Sequence, residues 1–255
     1  MNEFLFSNRF AIITGAGQGI GYEIAMQLAM QGAGIVLNDI DNDLAIRASL
    51  EITKAGGNCY PFPGDASSSE FIQELVEEAV KKFGSLDMAI ANAGITLYGE
   101  FLSYTPESLQ KVLGLNLFGS FFLAQKAAIQ MRKQGRGGRI LLMSSVTGHQ
   151  AHKNLVAYGM TKAGIEMLAR GLVAELSGDR ITINAIAPGA TLTERTIAET
   201  DYNETWSRIT PMGKPATVNE IAQAAIFFLL PSSGHITGQS LIVDGGWTAI
   251  SPTPY

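Results

Sequence analysis

Short apolar runs alternate with longer amphipathic stretches through most of this chain, and few folds accept that rhythm. Phe10–Thr14, Gly34–Asn38, Asn58–Phe62, Leu86–Ala91, Arg139–Met143, Ile181–Ala187 and Ser240–Val243 read as strands. Helical periods fall over about Ile20–Met30, Asp43–Lys54, Ser68–Phe83, Pro106–Leu113, Leu115–Arg132 and Tyr158–Leu176. Strands that are apolar throughout are buried on both faces, and helices must cover those faces. The expected fold is α/β, a doubly wound parallel sheet of seven strands in a single domain over residues 1–255. No Pro/Ser/Gly-rich linker divides it. Thr193 to about Val218 shows no sheet character, and a long connection after a strand end predicts a lid, over about residues 193–217.

Composition narrows the function classes. At 255 residues and 46% hydrophobic the chain can bury one large core. A net charge of −5 with no strong basic cluster argues against a nucleic-acid partner and against an anionic membrane. The single cysteine, Cys59, excludes an internal disulfide and suits a reducing, cytoplasmic setting; it reads as a small buried hydrophobe. The N-terminus lacks the basic stretch and apolar run of a signal peptide, and the longest strongly apolar run, Ala224–Leu230, is too short to cross a bilayer.

Two motifs carry chemistry. Thr14-Gly-Ala-Gly-Gln-Gly-Ile-Gly21 leaves a strand and opens a helix, where backbone N–H groups can face an anion. Gly15 suits the tight turn, while Gly19 and Gly21 permit close approach to a pyrophosphate; the alternative is a turn that binds nothing. Asp39 ends the second strand, where a carboxylate can accept from an adenosine ribose and repel a 2′-phosphate, so NAD is expected over NADP. Its alternative is a helix N-cap among three aspartates. Tyr158 and Lys162 stand one helical turn apart. A lysine cation beside a phenol favours the phenolate and lowers its pKa toward useful proton transfer. Ser145, after a strand end, can donate to a substrate oxygen, and only its spacing to Tyr158 separates it from Ser144.

Together these motifs resemble the short-chain dehydrogenase/reductase family over almost the whole chain: Thr14-Gly-x-x-x-Gly19-x-Gly21, Asp65, Asn92-Ala-Gly94, Asn116, Ser145, Tyr158-x-x-x-Lys162, and Pro188-Gly189 followed by Thr193. The resemblance implies a Rossmann-type domain with Asn116, Ser145, Tyr158 and Lys162 as catalytic residues. It implies cofactor contacts at Gly15, Gln18, Gly19, Ile20, Asp39, Asp65, Ala66, Asn92, Gly94, Tyr158, Lys162, Pro188, Gly189, Thr191 and Thr193. Asn116 would hold a water on a proton relay through Lys162. Two departures stand out: Ala91 where the family often has asparagine, and Gly159 after the tyrosine where alanine is common.

The resemblance also implies an NAD-dependent oxidoreductase on a small-molecule alcohol or carbonyl, and a homotetramer. Among family members the chain is similar to glucose-1-dehydrogenase-like enzymes of sugars and polyols. A 3-oxoacyl-carrier-protein reductase, for which Arg132, Lys133, Arg136 and Arg139 form the only basic cluster, and a hydroxysteroid dehydrogenase are the alternatives. A catalytically idle nucleotide-binding protein is the reading from another class. His149, Asn154 and Trp206 are candidates for substrate contacts, with Tyr98 and Glu100 on the same rim. His149 and His152 invite zinc, but no cysteine or carboxylate cluster completes a site, so no metal is expected. Ile165, Leu168, Leu172 and Leu176 form an apolar stripe that suits a subunit contact or the core, and the C-terminal Ser251–Tyr255 is expected to lie across a neighbouring subunit.

Overall fold

The computed structural model describes residues Phe4–Ser251; the expectation for the C-terminal segment falls on Pro252–Tyr255, outside the described residues. The chain order is β1 (Phe10–Ile13), α1 (Gly19–Met30), β2 (Gly34–Leu37), α2 (Asn42–Lys54), β3 (Asn58–Pro61), α3 (Ser69–Phe83) and β4 (Met88–Ala91). Then come α4 (Pro106–Val112), a π-helical segment (Leu113–Gly119), α5 (Ser120–Gln134), β5 (Gly138–Met143), α6 (Val156–Gly171), α7 (Val173–Leu176) and β6 (Ile181–Pro188). The last part holds β7 (Thr191–Leu192), α8 (Glu194–Ile197), α9 (Tyr202–Ile209), β8 (Ala216–Thr217), α10 (Val218–Leu229) and β9 (Ser240–Val243).

Seven strands form one parallel sheet in the order β3-β2-β1-β4-β5-β6-β9, as the alternation of apolar runs predicts. Neighbouring residues of one strand feed opposite cores, because side chains alternate across a sheet. Ile13, Leu37, Ile90 and Met143 pack with α1, α2 and α10. Ile12, Val36, Ala89 and Leu142 pack with α3, α5 and α6. The strand order reverses between β1 and β4, and a crevice opens there beyond the carboxyl ends of the strands.

Two expectations need correcting. The two helices read at Pro106–Leu113 and Leu115–Arg132 are one continuous helix, Pro106–Gln134, whose turns loosen to π geometry around Asn116. The widened turn lets the Asn116 side chain face inward, where Oδ1 accepts from Ile95 N (2.8 Å) and Nδ2 donates to Ile95 O (2.9 Å). By length and composition this helix could cross a membrane, but its Val112, Leu123, Ala127 and Met131 are buried within the protein. Second, the segment from Thr193 to about Val218, expected to lack sheet character, holds one two-residue strand, Ala216–Thr217, which pairs in parallel with Thr191–Leu192 just before the segment, the pair enclosing two short helices. Of the two roles open to the apolar stripe on the Tyr158 helix, the core takes most of it, while Leu168 also lines an apolar groove on the surface. Ile165 and Leu176 are buried, and Leu168 and Leu172 pack half-buried against the same cluster.

Candidate active site

The turn after β1 is stitched from three sides. Asn92 Nδ2 donates to Thr14 O (3.0 Å) and Gly15 O (2.7 Å), while Thr14 Oγ1 accepts from the backbone N–H of Asn92 and Ala93, both at 3.2 Å. Gly15 and Gly19 have φ of +60° and +66°, a region that side chains rarely tolerate. At Gly21 a Cβ would lie 2.4 Å from Asn92 Nδ2 and 2.6 Å from Gly15 O, so only glycine lets the helix start this close. Gln18 is extended and makes no side-chain cap on α1. The first N–H groups of that helix are therefore left for an anion, with Gly19 and Ile20 on the cavity wall.

Asp39 is not the cap of α2. Asp41 takes that part, accepting from Asp43 N (2.9 Å) and Leu44 N (3.0 Å). Asp39 Oδ2 instead accepts from Gly17 N at 2.9 Å, so the end of β2 and the glycine turn are fastened together. Around them lies a cavity of about 680 Å³ lined by Gly15, Gln18, Asp39, Asp65, Ala66, Asn92 and Gly94. Asn38 lines it too, and its Oδ1 is buried with no protein partner. Lys111 and Glu107 reach the same cavity from α4, which the linear sequence did not signal.

A second cavity, about 290 Å³, shares Gln18, Asn92 and Gly94 with the first, so the two form one elongated cleft. Ser145, Tyr158, Lys162, Pro188, Gly189, Thr191 and Thr193 line it. Lys162 is buried; its Nζ donates to Met143 O (2.7 Å) and lies 5.4 Å from the centre of the Tyr158 ring. Asn116 lies behind the wall. A Cβ on Gly94 would lie 3.3 Å from Asn116 Oδ1 and 3.4 Å from Lys162 Nζ, which makes these two groups near neighbours. Ser144 and Ser145 part company here. The Ser144 hydroxyl is buried and committed to Lys162 O (3.0 Å) and Glu166 Oε1 (2.7 Å). Ser145 Oγ accepts from Thr147 N at 3.3 Å, which leaves its proton to donate elsewhere.

The proposed substrate contacts scatter. His149 Nε2 sits 2.7 Å from Glu166 Oε1. Asn154, at φ +65°, receives Gly99 N on its carbonyl at 3.0 Å. Trp206 lies between Tyr202 (centroids 6.1 Å) and Trp247 (5.6 Å), and Trp247 meets the ring of His152 at 5.1 Å. None of the three lines the cleft as it stands, whereas Tyr202 does, with its hydroxyl accepting from Thr191 N at 3.1 Å. Burial raises the Tyr202 pKa above its ordinary value, which suits a neutral hydrogen-bonding phenol. Its position one turn before Trp206 was the sequence signal that could have found it. Trp247 and Glu166 offered no local signal. Among the described residues no three His, Cys, Asp or Glu side chains gather as a metal site.

The shape suits a dinucleotide. One half is lined by Asp39, Asp65 and Ala66; the other brings a tyrosine, a lysine and a serine to one wall; the open helix terminus lies between. Comparison with known proteins agrees. A family model described as Enoyl-(Acyl carrier protein) reductase matches residues 15–248. The L-rhamnose-1-dehydrogenase of Scheffersomyces stipitis is 36% identical over 254 residues, covering 95% of this chain and 96% of the relative. The structure of a gluconate 5-dehydrogenase from Burkholderia cenocepacia in complex with NADP and tartrate superposes with a TM-score of 0.90 at 30% identity, over 98% of this chain and 99% of that one. A 7 alpha-hydroxysteroid dehydrogenase complexed with NADH and 7-oxo glycochenodeoxycholic acid gives a TM-score of 0.90 at 33% identity, over 96% of both chains. With this fold, this cleft and these relatives, the chain belongs to the short-chain dehydrogenase/reductase family and is a nicotinamide-dependent oxidoreductase.

Proposed function

We propose that the chain is an NAD-preferring dehydrogenase that interconverts a secondary alcohol of a sugar or polyol with the ketone or lactone. The observation that carries this reading is the shared wall of Ser145, Tyr158 and Lys162, continuous through Gln18, Asn92 and Gly94 with the Asp39 cavity. A bound nicotinamide would supply the hydride acceptor or donor for the substrate carbon. In the oxidation direction Tyr158 takes the hydroxyl proton as the C–H bond gives up its hydride. The Lys162 cation would stabilise the phenolate and hold the cofactor's ribose hydroxyls. Ser145 donates to the substrate oxygen as its charge changes, and Asn116 holds the proton path beside Lys162. Thr191 and Thr193 line the cofactor side of the cleft, and the segment over residues 193–217 forms the lid.

Three observations bear on the alternatives. Asp39 Oδ2, fastened to Gly17, supports NAD, since a carboxylate there repels a 2′-phosphate; Lys111, which lines the same cavity, is the counterweight. The basic cluster does not favour an acyl-carrier partner. Arg136 pairs with Asp87, Arg132 with Asp179, and Arg139 donates to Leu230 O and Pro231 O, at the amino-terminal edge of the sheet and away from the cleft. A steroid is the second reading, carried by the exposed Ile197 and Met212 on the segment that also holds the aromatic pair of α9. The assembly we propose is a homotetramer. Leu117, Phe118, Phe121 and Met167 line an apolar groove of about 660 Å³ across the long helix and α6, a face suited to a second copy. The single, partly buried Cys59, with its thiol pKa pushed up to about 11 by burial, accords with a reducing cytoplasmic setting.

NADH fluorescence against sugars, polyols, acyl thioesters and steroids, run with NAD and with NADP, tests the reading. Sugar or polyol turnover with NAD is expected. NADH binding with no turnover across the panel would overturn it in favour of an idle nucleotide-binding protein.

A further inference from the structure

Glu166 is buried, lies one helical turn beyond Lys162, and has no part in the proton path. A buried carboxylate is costly unless hydrogen-bonded. Both of its short contacts converge on one oxygen: Ser144 Oγ and His149 Nε2 each lie 2.7 Å from Oε1. Oε2 faces the half-exposed Arg170 guanidinium at 3.8 Å.

The two short partners flank a single turn. Ser144 ends the extension of β5, and His149 closes the 3-10 turn Val146–Gly148 that begins at Ser145. That turn lies flat on α6 because two glycines leave room. A Cβ on Gly148 would stand 3.0 Å from Ala163 N, and one on Gly159 would stand 2.8 Å from Thr147 O. Gly159, the departure from the family's usual alanine, thus faces the same turn. Thr147 N–H is the donor that engages Ser145 Oγ and turns its proton outward.

We propose that Glu166 is a positioning residue: with His149 and Ser144 it clamps the turn onto α6 and so aims the Ser145 hydroxyl at the substrate oxygen. The inference rests on the catalytic reading of Ser145 given above. The clamp works through hydrogen bonds to one oxygen, so an amide can replace the carboxylate and a leucine cannot.

The test is a double-mutant cycle on the fastest substrate of the panel, with kcat, KM, NADH Kd and Tm measured for each variant. Glu166→Leu and His149→Ala are expected to lower kcat about tenfold, as small misplacements of reacting groups do, with NADH Kd unchanged. Glu166→Gln is expected to recover most of the loss. In a Ser145→Ala background the Glu166→Leu and His149→Ala changes should lower kcat no further, because the group they aim is gone. Full additivity in that background, or a Glu166→Gln variant as slow as Glu166→Leu, overturns the clamp. The exposed site at His149 keeps the cycle readable if Glu166→Leu does not fold. If Ser145→Ala itself leaves kcat intact, the catalytic reading of that serine fails instead.

Discussion

Two strand-to-helix turns meet at the cleft, and they are built on opposite plans. The turn after β1 spends side chains to hold itself: Asn92 and Asp39 bind its backbone, Thr14 Oγ1 ties it to the backbone of Asn92 and Ala93, and the N–H groups at the start of α1 stay free. The turn after β5 spends its backbone. Thr147 N goes to Ser145 Oγ, Gly148 N to Ser145 O, and His149 N and Gln150 N to Val146 O. What remains free there is one hydroxyl proton. The first plan suits a diffuse anion, which several weak donors hold together. The second suits a single atom whose charge changes during reaction, where one well-aimed donor counts most.

The largest effect should come from the side that serves chemistry. Tyr158→Phe is expected to lower kcat by about 10² to 10⁴, the range for a lost general acid–base, while NADH binding by fluorescence titration stays within about twofold. Equal losses in both would erase the division between the two turns. Gly21→Ala should do the reverse. Its Cβ has no space beside Gly15 O, so the turn must open, and NADH Kd should rise at least about tenfold with about 1–3 kcal/mol lost in urea unfolding. Turnover at saturating cofactor should survive.

Asp39→Ser sharpens the first plan further. Removing the carboxylate that holds Gly17 and repels a 2′-phosphate should shift the NAD/NADP ratio of kcat/KM toward NADP by about tenfold, near 1.4 kcal/mol. An unchanged ratio would assign Asp39 to turn structure alone. The smallest effect concerns the loop that follows the second turn. Burial lowers the His152 pKa below its ordinary value, so the folded state takes up a proton less readily than the unfolded chain. The stability linked to it is present above the unfolded value near pH 6.5 and is lost as pH falls through the lower folded value. His152→Phe should keep the stack on Trp247 and flatten the fall in Tm between pH 7 and 5. A parallel fall in both proteins would discard His152 as the titrating group.

Much of the fold was legible because periodicity is a local property. Ile12 and Ile13 declare opposite faces by adjacency alone, and the Tyr158/Lys162 spacing places both on one helix face before any partner is known. The π segment at Asn116 was not legible, since Leu-Asn-Leu-Phe is compatible with ordinary helix and the widening answers to Ile95, on another segment. Trp206 was seen as a rim residue, yet its neighbour Trp247 comes from the far end of the chain, so no window of sequence contains both.

The amino-acid order by itself determined the strand and helix periods, the glycine turn and the spacing of tyrosine and lysine, all written within a few residues. Only the tertiary structure decided which serine keeps a free hydroxyl, which aspartate faces the cleft and where His149 points. Those choices depend on which donors and acceptors folding brings within about 3 Å. Ser144 and Glu166, 22 positions apart in the chain, meet only once β5 and α6 have packed.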